Sequence, residues 1–499
     1  MVAQFSVSLQ PKKLGYMEQL SPKRTPSILI SFIPLTVLVL LLAVTIHLFG
    51  SDAIMGGSQL SLLAASAVAS ALAIVIYKVP WRELEESIIT NMRSATPALI
   101  ILLLIGAIAG SWMASGVIPT LIYYGLNILH PSYFLVASCI ICAVVSLLTG
   151  SSWTTIATIG IALMGIGRAL GFEEGWIAGA IISGAYFGDK ISLMSDTTVL
   201  ASSTSEVPLF THIKYMLLTT LPSLIIALIV YAIVGFSGSS VEATDTAFIQ
   251  QSLSSTYNIT PWLLLVPIAT GLLIWRKLPA IVTLFSSVIL ASIALVIAQP
   301  DVIAHISGDG VNLFSTFKAI ILATTSDVAV DTGNPTINDL VATSGMGGMM
   351  DTIWLIICAM CFGGVMYGSG MLDAISRAFL RIARRTVSVV ASTVSSGIFF
   401  NLCTGDQYIS IILTSKLFNK LYDERGLERR LLSRSVEDSA TVTSVLVPWN
   451  SCGMTQSTVL GVATITYLPY CIFNIVSPLM SILVAAIGYK IFKRTGDEA

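Results

Sequence analysis

Several apolar runs of about 20 residues, the length that crosses a bilayer's hydrocarbon, stand in this sequence, and two further segments are interrupted midway by glycine, hydroxyl and acidic residues. Irregular polar backbone at membrane depth is tolerable only where surrounding protein or a watery cavity satisfies it. The chain is therefore read as an all-α polytopic membrane protein whose breaks are its candidate sites. The charge count agrees, with 26 Lys and Arg and 27 Asp and Glu in 499 residues, where a soluble chain at about 25% charged would carry roughly 125. With 55% of residues hydrophobic, too little polar surface remains to cover a soluble globule, which excludes an ordinary cytosolic enzyme. A net charge of −1 gives no global basic field, so the expected surroundings are a lipid bilayer and no nucleic acid.

Other function classes fall away on motifs. Cys139/Cys142 and Cys358/Cys361 are C-x-x-C pairs, but each lies in an apolar run without a nearby His or acid and reads as small helix-packing residues. His47, His130, His212 and His305 lack metal-type partners at i+3 or i+4, so no transition-metal site, disulfide framework or cofactor is expected. The sequence has no G-x-x-x-x-G-K-[ST] loop for nucleotide phosphates. Asp189-Lys190 is followed by Ile191-Ser192, without the soluble nucleotide-binding domain of a phosphorylated-aspartate pump. Transport would then be driven by a second gradient.

Residues 1–26 carry Lys12, Lys13, Lys23 and Arg24 and read as a cytoplasmic arm by the positive-inside rule. A first unit, 27–236, opens with spans near 27–49 and 59–77, an amphipathic cytoplasmic stretch from Lys78 to Arg93, and a long tilted span from Pro97 to about 128. Two half-length apolar helices, 133–148 and 153–170, then flank Thr149-Gly150-Ser151-Ser152 and suggest a re-entrant hairpin. The next segment, 174–205, is interrupted from Gly188 to Thr198, and a span at 209–236 leads to an extracytoplasmic linker, 237–260, with Glu242 and Asp245 and no Lys or Arg.

The remainder, 261–494, echoes the first unit. Ser115-Gly116 recurs as Ser369-Gly370, Thr149-Gly150 as Thr404-Gly405, and Asp196 as Asn450, all at an offset of 254 or 255 residues. Arg377, Arg381, Arg384 and Arg385 before the second hairpin, and Lys420, Arg425, Arg429, Arg430 and Arg434 after it, place its base in the cytoplasm, opposite to the first. The repeats are thus inverted, with spans near 261–275 and 279–299 joined by Arg276-Lys277, an external loop at 300–350 and a cytoplasmic C-terminus at Lys490, Lys493 and Arg494. The expectation is about ten transmembrane helices, two re-entrant hairpins and two interrupted helices.

Ionised carboxylates deep in a bilayer each cost about 2.5–3.5 kcal/mol on insertion scales, so Asp189, Asp196, Asp406, Glu437 and Asp438 need a reason. Pairing with Lys190 or Arg434, or a place nearer an interface, would serve for some, Glu437 and Asp406 above all. Asp189 and Asp196 lie in a glycine- and serine-rich break, where carboxylate, hydroxyl and free carbonyl oxygens suit a small desolvated cation. Such a carboxylate is satisfied by a cation or a proton, and mutually exclusive occupancy is an exchange mechanism. Asp189 or Asp196 is the expected shared proton and sodium group, with Ser192, Ser195 and Thr197 as neighbouring ligands. Lys190 cannot share a helix face with Asp189 and is expected to pair elsewhere, with an acid of the other repeat as one option. In the second repeat Pro448 and Gly453 break the helix, Asn450 would supply a neutral oxygen, and Asp438 would reach the same cavity. Thr149, Ser151 and Ser152 at one tip, and Thr404 and Asp406 at the other, complete the lining, while Trp153 and Trp449 read as packing or interface anchors.

Three stretches carry a resemblance: TGSSWTTIATIGIALMGIGRAL (149–170), SGAYFGDKISLMSDTTVLA (183–201) and EDSATVTSVLVPWNSCG (437–453). In order along the chain, they resemble the NhaC-type sodium/proton antiporter family. The resemblance implies a bacterial inner-membrane antiporter exchanging sodium, with lithium as a second ion, for protons. It also implies relatives that exchange malate for lactate, and kinship with hairpin-containing transporter folds that are often homodimers. The chain departs from the family pattern at Leu193-Met194 (Pro-Leu), Val199 (Asn), Ala440 (Gly) and Val445 (Pro), which opens the substrate more than transport itself. A sodium- or proton-coupled exchanger of small carboxylates or other organic solutes is the second reading. An intramembrane aspartyl protease, suggested by Tyr186-Phe187-Gly188-Asp189, has Tyr where its signature needs Gly, and dead-end hairpins fit alternating access better than a channel.

Overall fold

The computed structural model describes residues 26–49, 56–237, 246–276, 278–328, 330, 332, 334–383 and 385–492. Among them the chain is helical, with one isolated bridge between Val328 and Thr343 and no strand. Eight helices are long and apolar enough to cross a membrane, and ten segments are when two bent pairs each count once, Thr246–Thr256 with Pro261–Trp275 and Thr464–Tyr470 with Ile472–Ile487. This is an all-α polytopic membrane protein. Exposed Leu, Ile, Val and Phe cover the outer helices, as a hydrocarbon solvent allows.

The internal repeat appears as matching hydrogen bonds. Each hairpin turns on a glycine with positive φ, Gly150 at 68° and Gly405 at 67°, a conformation that costs other residues about 1–2 kcal/mol. Below the turns, Thr149 Oγ1 lies 3.2 Å from Thr155 Oγ1, and Thr404 Oγ1 lies 3.2 Å from Ser410 Oγ. Ser151 Oγ caps the Thr154 N–H at 3.2 Å, and Asp406 Oδ1 caps the Ile409 N–H at 2.9 Å. Ser146 Oγ donates to the Ala185 carbonyl, and Asn401 Nδ2 to that of Ala440. Every pair is 255 residues apart in sequence. Likewise Gly116 and Gly370, at φ 78° and 74°, end the helices Trp81–Ala114 and Met350–Gly368. The hairpin tips converge crosswise, with Trp153 of the first against Cys452 and Tyr408 of the second within electrostatic reach of Asp196. Arms entering from opposite sides meet in this way, which fits inverted repeats.

The first hairpin is fastened to the first broken helix through glycine. A Cβ on Gly184 would come 2.0 Å from the Cys139 carbonyl oxygen, and one on Gly188 2.2 Å from that of Ala143, so the helices Pro131–Thr149 and Glu174–Ile191 touch backbone to backbone. This is the close approach that a small-x-x-x-small stripe permits. We expect Gly188→Ala to lower the thermal midpoint in detergent, at a cost of about 1–3 kcal/mol for overpacking, and Gly188→Leu to stop the folded protein accumulating. Wild-type melting of Gly188→Leu would refute the seam.

Several details depart from the sequence reading. The third span begins at Trp81, absorbing most of the supposed cytoplasmic stretch, and it stops at Ser115-Gly116 before a separate helix Val117–Ile128. The hairpin arms extend over Pro131–Thr149 and 152–169 in the first repeat and over Thr386–Thr404 and Gln407–Glu424 in the second. The linker holds a helix, Thr246–Thr256. The 300–350 segment is no open loop, for Pro300–Ser307, Leu313–Thr325 and Pro335–Val341 are helical, and Ala323 packs so closely on Gly110 that a Cβ there would sit 1.9 Å from its carbonyl oxygen. The arm up to residue 25, Glu242, Asp245, Lys277, Asp331, Arg384, Lys493 and Arg494 lie outside the described residues.

Candidate functional site

The helix Glu174–Ile191 ends at Ser192, whose backbone is extended, and restarts as Asp196–Thr204 with Ser195 as its N-cap. The break is thus shorter than the polar run that announced it. Asp189, only 6% exposed, faces the tip of the first hairpin, where Ser152 donates to its Oδ2 from the backbone N–H at 3.1 Å and from Oγ at 2.7 Å. Ser152 opens a helix, so its N–H would otherwise lack a partner, and a carboxylate is favoured at that positive dipole end. The equivalent bond in the second repeat is neutral, Ser444 Oγ donating to Gln407 Oε1 at 3.2 Å.

The second broken helix runs through Arg429–Val436 into a π-helical turn, Glu437–Thr441, then a 3-10 turn, Ser444–Leu446, before the helix Ser451–Leu460. Single π turns are a recurrent device at functional sites. Here the turn presents adjacent acids to different partners. Glu437 Oε1 accepts from Thr197 Oγ1 at 3.4 Å. Asp438 Oδ1 is ion-paired and hydrogen-bonded with Lys190 and accepts from Thr219 Oγ1 at 3.1 Å and Ser477 Oγ at 3.2 Å, while its Oδ2 lies 3.9 Å from Arg434 Nε. Lys190, Arg434, Glu437 and Asp438 are fully buried.

Two hydroxyls stand between the remaining carboxylates. Ser195 acts electrostatically on Asp189, and its Oγ lies 3.0 Å from Thr197 Oγ1, which in turn donates to Glu437. Asp189 and Glu437 feel each other's charge. Neither has a salt-bridge partner among the described residues, whereas Asp438 has two cations beside it. Glu437 Oε2 has no hydrogen-bond partner among the described residues. Three carboxylates against Lys190 and Arg434 leave one negative charge when all are ionised. The arrangement can therefore accept one monovalent cation, or one proton, on hard oxygen ligands.

The other expected residues fall around this centre. Asp196 is exposed at the first position of its helix and makes no hydrogen bond to this centre among the described residues, although its charge reaches Asp189 and Tyr408, which is 36% exposed. Ser192 Oγ turns away to the Leu147 carbonyl at 2.8 Å. Asn450 spends its carbonyl oxygen on the Cys452 N–H at 3.1 Å as a helix cap and braces Asn401 with its amide. Thr149, Ser151, Thr404 and Asp406 shape the tips, and of the tip residues Ser152 alone is shown hydrogen-bonded to one of the central carboxylates. Trp449 anchors the second hairpin through Nε1 to the Leu402 carbonyl at 2.7 Å. The ligand set read from the sequence left out Glu437, Thr219 and Ser477, while Arg434, expected as a partner for one of these acids, lies fully buried 3.9 Å from Asp438 and 4.7 Å over the Tyr215 ring.

The Na+/H+ antiporter family matches residues 184–489, a stretch that holds the breaks of both broken helices and the second hairpin. The chain is 36% identical to the Na(+)/H(+) antiporter NhaC of Bacillus subtilis (strain 168), covering 84% of this chain and 90% of that one. It is 35% identical to the NhaC antiporter of Alkalihalophilus pseudofirmus over 83% of this chain and 87% of the other. A malate-2H(+)/Na(+)-lactate antiporter of Bacillus subtilis is as similar, at 36% identity over 82% and 85%. With membrane-spanning helices, inverted repeats and a buried carboxylate pair in place, the chain belongs to the Na+/H+ antiporter family.

Proposed function

We propose that this protein is a secondary transporter that exchanges sodium, and lithium with it, for protons across the bacterial inner membrane. The observation that carries the reading is the pair Asp189 and Glu437, two buried carboxylates set about the hydroxyls of Ser195 and Thr197 with no cation at salt-bridge distance among the described residues. Sodium and a proton would each cancel the same single negative charge, so one excludes the other, and carrying either through the membrane is less costly than carrying the bare site. On this reading residues 27–236 and 261–494 are the two repeats around linker 237–260, and both chain ends face the cytoplasm, as the distribution of Lys and Arg supports. Solvation by lipid and pairing into a homodimer belong to the same proposal.

The test is proton flux in everted vesicles with a fluorescent pH probe. Dissipation of the gradient by sodium or lithium alone is the expected result. A response that needs malate or lactate would overturn it in favour of a coupled carboxylate exchanger, the reading favoured by one observation, the fully buried guanidinium of Arg434, which makes no hydrogen bond among the described residues and shares Asp438 with Lys190. Asp196, exposed beside the site, serves to draw cations in. Asp196→Asn should raise the apparent KM for sodium by about 2–10-fold, more at low ionic strength, with the maximal rate kept. Loss of the maximal rate would return Asp196 to the ligand set.

A further inference from the structure

The carboxylate pair stands at the end of a row of buried polar groups that the fold leaves unsatisfied. Glu437 Oε2, Thr441 Oγ1, the Tyr186 hydroxyl and Trp153 Nε1 are all without hydrogen-bond partners among the described residues. Tyr186 lies one helical turn before Asp189 and Lys190, and Thr441 one turn after Glu437. Lys190 meets Asp438, whereas Tyr186 four residues earlier meets Ser444 six residues later, so the two segments run antiparallel and both groups lie on the same side of the pair. Ser444 Oγ donates to the Thr441 carbonyl at 2.7 Å, Tyr186 and Ser444 flank the Cys452 thiol, and half-buried Trp153 stands over it. Tyr186, Thr441, Ser444 and Cys452 are each at most 1% exposed.

The opposite side differs, since Asp196 and Tyr408 are exposed there. The pair is thus approached from one side and faces a closed polar row on the other. An inert seam would be apolar, because each buried unpaired polar group costs about 1–3 kcal/mol. Several in line, next to the candidate ion site, call for an occupant that satisfies them in another conformation.

We propose that Tyr186, Thr441, Ser444 and Cys452 line the second leg of the ion path, closed in this conformation. This leg passes a dehydrated monovalent cation between the Asp189–Glu437 pair and the membrane face opposite to Asp196. The proposal rests on the sodium/proton reading above. It assigns hydroxyls the work of replacing lost hydration, with the thiol as a weaker fourth contact.

Cys452 makes the leg testable with silver ion, a thiol-seeking monovalent cation close in size to sodium. A protein that keeps Cys452 and has its six other cysteines replaced is reconstituted in known orientation and exposed to silver from one face at a time. The thiol that remains is then titrated with a maleimide after denaturation. Asp196→Cys in a cysteine-free chain marks the other side. The expected result is that silver consumes Cys452 from the face opposite to the one that consumes Asp196→Cys. Consumption of both from the same face, or protection of Cys452 from both faces in a protein that still exchanges, overturns the proposal. Should the single-cysteine chain not fold, Tyr186→Phe and Ser444→Ala in the full chain supply the second measurement. Each should slow exchange about tenfold, the equivalent of one lost hydrogen bond, while sodium-induced thermal stabilisation stays at the wild-type value. Unchanged rates, or loss of stabilisation along with rate, would overturn it. A wild-type protein that moves no protons with sodium refutes the exchange reading instead, because thiol consumption reads the leg without transport.

Discussion

Asp189→Asn should abolish sodium-dependent proton exchange, by at least about 100-fold, in a protein that still folds and inserts. The substitution is isosteric, and the amide oxygen can still accept the two bonds that Ser152 donates to the carboxylate. The hairpin tip therefore keeps its fastening while the site loses its titratable charge. Its remaining acid, Glu437, then balances against the one net positive charge of Lys190, Arg434 and Asp438, which leaves nothing for sodium or a proton to neutralise. Glu437→Gln should act in the same way, with its bond to Thr197 retained. The measurement is sodium-driven gradient dissipation in proteoliposomes, normalised to reconstituted protein. Near-wild-type exchange by both variants would place the coupling group elsewhere.

Asp438→Asn, one residue away, is expected to fail for a different reason. Lys190 and Arg434, both fully buried, would lose the carboxylate between them. Removing one member of a buried ion pair leaves an uncompensated charge and costs about 3–5 kcal/mol, a large share of a typical protein's total stability. Little folded protein should accumulate, and what does should melt well below wild type in detergent. Lys190→Met should be milder, since Arg434 remains 3.9 Å from Asp438. The double variant Lys190→Met/Asp438→Asn should recover part of the loss. Equal melting of Asp438→Asn and wild type would show that this triad bears no structural load.

Much of the architecture was legible because membranes restrict what a chain can do. Glycine-hydroxyl interruptions in apolar helices had to be tips or breaks, and the recurring spacing exposed the repeat. The breaks that hold the candidate site were legible, and the contacts of their side chains were not. Asp189 and Asp196 flank the same break, and only the direction in which the second helix restarts decides that one is buried and the other exposed. Adjacent acids on a regular helix point about 100° apart, and the π turn gives Glu437 and Asp438 each its own partners, which the sequence alone did not show. Arg434 was legible as a partner for one of these acids, whereas its full burial was not, because a buried guanidinium is rare. The 300–350 segment read as a loop from its acids, although its alanines were the signal for close packing on Gly110.

The glycine seam between the first hairpin and the first broken helix dictates what a transport cycle can look like mechanically. With the Cys139 and Ala143 carbonyls seated over Gly184 and Gly188, a slide of one helical turn either way would set one of those oxygens against Ala180 or Ser192, which carry a Cβ where the seam has room for none. The two elements cannot slide past one another. They must travel as one lever, with Ser152 still holding Asp189, so the ion's principal ligand and its anchor stay together throughout the stroke, and the hinges lie outside that block.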